Sequence, residues 1–114
     1  MSITNFEEIT SPLNDYELEL VPIMVASFKT KNINNPIKAA DIISSMKANG
    51  YKMSGPRLRK ICNYIRTNSL LPLIATSKGY YVSYDKQQIL DQIQSLQERA
   101  DAIKNCALGM RSFL

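Results

Sequence analysis

Apolar residues along this chain recur first every three to four positions, then every second position, then every three to four again. Residues 1–13 show no period and close on Ser11-Pro12, which predicts an N-terminal tail or a loosely docked segment. From Asn14 the spacing turns helical. Asn14 or Asp15 can cap, Glu17 and Glu19 fall where a helix dipole favours acids, and Leu18, Val21, Met24, Val25 and Phe28 form the expected inner stripe. Pro22 lies inside this run, so either the helix kinks there or a second helix starts with Pro22 in its first turn.

After a turn at Asn32 to Pro36, residues Ile37 to Ala48 predict a second helix. Ile37, Ala40, Ile43 and Met46 or Ile42 face inward, and Asn49-Gly50 is its stop. Ser54 can cap a third helix, with Pro56 in the first turn, where a missing N–H costs nothing. Leu58, Ile61, Cys62 and Ile65, spaced i, i+3, i+4 and i+7, are its buried stripe. Beyond Asn68 the period drops to two. Leu70–Thr76 and Tyr80–Tyr84 are β-branched and aromatic runs flanking Ser77-Lys78-Gly79, a hairpin signal. Asp85 then caps a last helix, Lys86 to about Leu108. The expected organisation is a tail (1–13), one folded domain (14–84), a long C-terminal helix (85–110) and a short tail (111–114).

Charge changes the picture. Lys29 to Tyr81 holds ten bases against Asp41 alone, a net of +9, whereas residues 1–28 hold five acids and no base. The overall +4 therefore conceals a polarised molecule, and such a field concentrates an anionic polymer near one face. The alternative is a solvated surface that happens to be basic.

Other classes of function find little support. The chain has no histidine, so the commonest general base and metal ligand are missing, and Cys62 and Cys106 are too far apart in sequence to suggest a zinc site. The four glycines are scattered, with no phosphate-cradling loop. No catalysis, cofactor, metal or small-molecule substrate is expected. No window approaches the 18 apolar residues of a membrane span, and nothing resembles a secretion signal. Both cysteines are expected to be reduced, in a cytoplasmic protein, with Cys62 in the core.

Three helices followed by a hairpin is the element order of a winged helix-turn-helix: α+β, mostly α, with the hairpin as wing. The run KMSGPRLRKICNYIRTNSLLPLIATSKGYYVS resembles the recognition helix and wing of such DNA-binding domains. More narrowly, Arg57 to Tyr81 followed by a long polar helix is similar to small phage- and prophage-type proteins of gut bacteria. The likeness covers roughly Asp15 to Met110, and the long last helix departs from many winged helices.

The resemblance implies a third helix lying in a major groove. Arg57, Arg59, Lys60, Asn63 and Arg66 are its recognition candidates, Lys52 and Ser54 precede it, and Lys78 is the wing contact. Arg and Lys suit guanine, Asn suits adenine, and a capping hydroxyl suits phosphate. Tyr64, Tyr80 and Tyr81 are expected to pack rather than stack on bases.

In the last helix, Ile89, Ile93, Leu96, Ala100, Ile103, Ala107 and Met110 are spaced 4-3-4-3-4-3, a coiled-coil seam among Gln and charged residues. The expectation is a homodimer joined through this seam, binding double-stranded DNA in the bacterial cytoplasm as a transcriptional regulator or an accessory factor of phage or plasmid DNA metabolism. Two alternatives stay open: the helix folds back along helix one, or the domain is a protein-interaction adaptor without DNA binding.

Overall fold

The computed structural model describes residues 11–114, so residues 1–10 of the expected tail (1–13) lie outside it, and Leu13, at its end, is half-buried against the core. The chain forms two compact units, one ending at Ser83 and one spanning Tyr84–Leu114.

Helix α1 (Asp15–Phe28) opens on a capping box: Asn14 Oδ1 accepts the Glu17 N–H at 2.8 Å, and Glu17 Oε1 accepts the Asn14 N–H at 3.0 Å. The helix is continuous through Pro22, without a second start. An interior proline costs about 3 kcal/mol. Burial of Leu20, Val21, Met24 and Phe28 on both sides of it, at roughly 1.5–3 kcal/mol each, outweighs that cost. Val21, Met24 and Phe28 are buried and Val25 is half-buried, as the spacing predicts, but the first turns depart from it. Glu17 and Leu20 are buried and Leu18 is exposed, because a charged residue occupies a core-facing position.

Helix α2 is Ala39–Ala48, two residues shorter at its start than expected. Ile37 is instead extended, its N–H donating to Tyr80 O at 2.9 Å and its carbonyl accepting the Tyr80 N–H at 2.7 Å. Those exchanged backbone bonds hold a β-branched residue out of the helix. Ile42 and Met46 are both buried, Ile43 is half-buried, and Ala40 is exposed rather than inward. The helix ends in a Schellman motif: Gly50 at φ +87° donates to Lys47 O, and the Tyr51 N–H donates to Met46 O.

Helix α3 (Gly55–Thr67) has Ser54 as cap and Leu58, Ile61, Cys62 and Ile65 buried, as the spacing predicts. Ser69, at φ +55°, closes it with the same paired hydrogen bonds, Ser69 N–H to Arg66 O and Leu70 N–H to Ile65 O. The hairpin is shorter than the apolar runs: β1 is Leu73–Thr76 and β2 is Gly79–Val82, antiparallel, with Thr76 opposite Gly79. Only Ser77 and Lys78 therefore form the turn. Leu70 and Tyr84 fall outside the ladder and are exposed. Leu20, Met24, Phe28, Leu58, Ile61 and Ile65 are the centre of the core, which ties α1 to α3.

In the second unit, α4 (Lys86–Met110) starts at Asp85, whose Oδ2 accepts the Gln88 N–H at 3.0 Å, and runs through Gly109. A 3-10 turn, Arg111–Phe113, follows where a tail was expected. Among the described residues no helix is long and apolar enough to cross a membrane.

Candidate nucleic-acid interface

The ten bases of the central segment do not share one environment. On one flank of α3, Arg57 and Lys60 turn toward α1. Arg57 Nε donates to Glu17 Oε2 at 3.0 Å, and Lys60 Nζ donates to Glu17 Oε1 at 2.7 Å. Glu17 is 4% exposed, and the Arg57 and Lys60 side chains retain 26% and 15%. Burial alone would raise the Glu17 pKa. Hydrogen bonds from Lys60, the Asn14 backbone and Arg57 overcome it, and the carboxyl is held below its ordinary 4.5. Arg57 also lies over the Tyr16 ring, 5.2 Å from its centroid, and donates to Lys52 O at 2.9 Å. The Tyr16 hydroxyl in turn accepts the Lys52 N–H at 2.8 Å. Two sequence-predicted recognition residues are thus built into the joint between α1 and α3.

Arg66 is likewise engaged. Its Nε donates to Leu73 O at 3.0 Å, linking α3 to the first hairpin strand. Nearby, Cys62 hydrogen-bonds the Tyr80 side chain, and burial pushes its thiol up to about 12, which favours the protonated form. Burial also raises the Tyr80 hydroxyl, with the neighbouring Cys62 adding to the shift and the charges of Arg66 and Arg59 opposing it. Tyr80 packs against Phe28 at 5.9 Å between ring centroids, Tyr81 is buried and Tyr64 is half-buried, so all three tyrosines pack as expected.

The remaining candidates present their side chains to solvent: Lys52, Ser54, Arg59, Asn63 and Lys78. Arg59 and Asn63, four residues apart, sit on successive turns of one α3 face. Ser54 Oγ accepts the Arg57 N–H at 3.3 Å as the cap of α3, and Lys78 occupies the two-residue turn between β1 and β2. The connector at Ile37 fixes the root of that turn. A Cβ on Gly79, at φ +128°, would lie 2.5 Å from Ile37 O, so only glycine lets the two backbones approach.

The exposed set offers guanidinium, ammonium, amide and hydroxyl donors, which suit phosphate and base edges. Among the described residues no three His, Cys, Asp or Glu side chains are grouped to hold a metal ion. Sequence alone does not mark Glu17 or Tyr16 as site residues. Their one legible signal is the Asn14-x-x-Glu17 capping pattern, which says nothing of a partner forty residues on. Comparison with protein-family models, with curated proteins and with solved structures returns no match.

Proposed function

We propose that the first unit is a winged helix that binds double-stranded DNA without catalysis. The chain would act as a homodimer joined through α4, in transcriptional regulation or as an accessory factor of phage or plasmid DNA metabolism. The element order supports this reading: helix, extended connector paired to the hairpin, two helices set across a short turn, then the hairpin itself. The observation that carries it is the exposed row of Arg59 and Asn63 on α3, with Lys52 just before the helix and Lys78 at the hairpin tip, inside a segment of net charge +9.

In this arrangement Arg59 and Asn63 address base edges, whereas Lys52, Ser54 and Lys78 hold phosphates. Arg57, Lys60 and Arg66 position α3 rather than touch DNA. The seam of α4 supports the dimer, since Ile93, Leu96 and Ile103 are 43%, 37% and 52% exposed. Duplex binding followed across a salt titration tests the proposal, with random against genomic fragments. Binding that weakens linearly on logarithmic axes is expected. The adaptor alternative predicts no binding at physiological salt.

A further inference from the structure

We propose that a second copy of the chain packs on α4 antiparallel, in one register centred between Asp101 and Ala102. This rests on the homodimer reading above and specifies its geometry. The exposed seam is Ile93, Leu96, Ala100, Ile103, Ala107 and Met110, whereas Ile89, at its start, is half-buried. The six exposed positions map onto themselves when one helix is reversed. Ile93 then faces Met110 of the second copy, Leu96 faces Ala107 and Ala100 faces Ile103.

Side-chain size selects this over the parallel pairing. In parallel, each residue meets its own copy, so Ala100 and Ala107 form two thin layers between bulky Leu96, Ile103 and Met110 layers. Helices cannot draw together at the alanines while held apart by isoleucines, and the alanine layers would be left as voids. Reversed, every alanine meets a leucine or an isoleucine, and layer thickness is nearly uniform over about 26 Å of helix.

Charge selects the same answer. A parallel coil sets Arg99 beside Lys104 of the second copy, a like-charge contact made twice by symmetry. An antiparallel register one heptad toward the N-terminus faces Arg99 with its own copy, draws on half-buried Ile89 and leaves Met110 uncovered. The register centred between Asp101 and Ala102 instead sets Arg99 by Cys106 and Lys104 by Gln97, with no like-charge contact. It also sends the two Lys86 ends apart, by about 46 Å along the axis, where a parallel coil would hold them side by side.

Thiol crosslinking in a Cys106→Ser background tests the arrangement, because Cys62 is buried and does not compete. Ile93→Cys chains mixed with Met110→Cys chains should crosslink with a short bis-maleimide, and Ile93→Cys chains alone should not. Gln97→Cys mixed with Lys104→Cys, which leaves the seam intact, should crosslink in the same way. Self-crosslinking of Ile93→Cys would establish a parallel coil and overturn the inference while sparing the dimer. A chain of dimer mass in which neither mixture crosslinks would overturn the register. A wild-type chain of monomer mass by light scattering at about 100 µM would remove the dimer reading and this inference with it.

Discussion

Replacing Glu17 with Gln removes a negative charge while changing almost no volume. Gln serves as well as Glu at the third position of a capping box, so the bond to the Asn14 N–H can survive. What is lost is the counter-charge to Arg57 and Lys60, at 3.0 and 2.7 Å. Breaking a fully buried ion pair costs about 3–5 kcal/mol. Here the two cations keep 26% and 15% of their side-chain surface and can partly rehydrate, so the expected cost is about 2–3 kcal/mol. For a unit of this size that is roughly 10–20 °C in Tm.

The pH dependence carries a definite sign. The folded-state pKa of Glu17 is depressed, so its contribution is fully present above the unfolded value near 4.5 and lost as pH falls through the lower folded value. Urea unfolding at pH 7 should therefore separate wild type from Glu17→Gln, and the two curves should converge in strong acid. A difference below about 0.5 kcal/mol at pH 7 would place Glu17 among ordinary surface pairs and exclude it as a buried joint between α1 and α3.

Four further outcomes follow from the same geometry. Arg59→Ala with Asn63→Ala should weaken duplex binding by roughly 2–5 kcal/mol with little change in unfolding midpoint, whereas Arg57→Ala should lower the midpoint first; filter binding beside urea melts separates them. Lys78→Ala should weaken specific and random duplex alike and make the salt slope shallower by roughly one unit, measured by titration at several salt concentrations. Gly79→Val should cost at least about 2 kcal/mol in thermal or urea unfolding, because its Cβ would meet Ile37 O at 2.5 Å in a backbone region valine avoids. Ser69→Gly should stabilise the fold slightly, by up to about 1 kcal/mol in urea unfolding, since φ +55° costs serine more than glycine.

Local signals carried most of the fold. The start and stripe of α3 follow from Ser54, Pro56 and the Leu58-Ile61-Cys62-Ile65 spacing, and the end of α2 from Asn49-Gly50. The hairpin follows from alternation around Lys78. Readings failed where a distant partner overrode a local pattern. Ile37 continues a helical spacing, but the Tyr80 backbone, far along the chain, claims its N–H and carbonyl. On α1, Leu18 looked inward because hydrophobicity is the only visible guide to the inner face. That face includes Glu17, buried at a tolerable cost because two cations reach it from α3. For the same reason the candidate site was only partly legible. Composition shows that Arg57, Arg59, Lys60 and Arg66 are basic and close together, yet only packing separates the exposed Arg59 from its three engaged neighbours.

If Arg59 of α3 and Lys78 of the hairpin hold double-stranded DNA, removing them changes how binding responds to salt. The most direct test is the logarithmic salt dependence of duplex binding, measured side by side for wild type and an Arg59→Ala, Asn63→Ala, Lys78→Ala variant shown to be folded. DNA binding through these side chains predicts measurable binding by wild type at physiological salt, a linear decline with rising salt, and for the variant a loss of affinity with a shallower slope. Absence of wild-type binding at low salt, or identical curves for the two proteins, would contradict it.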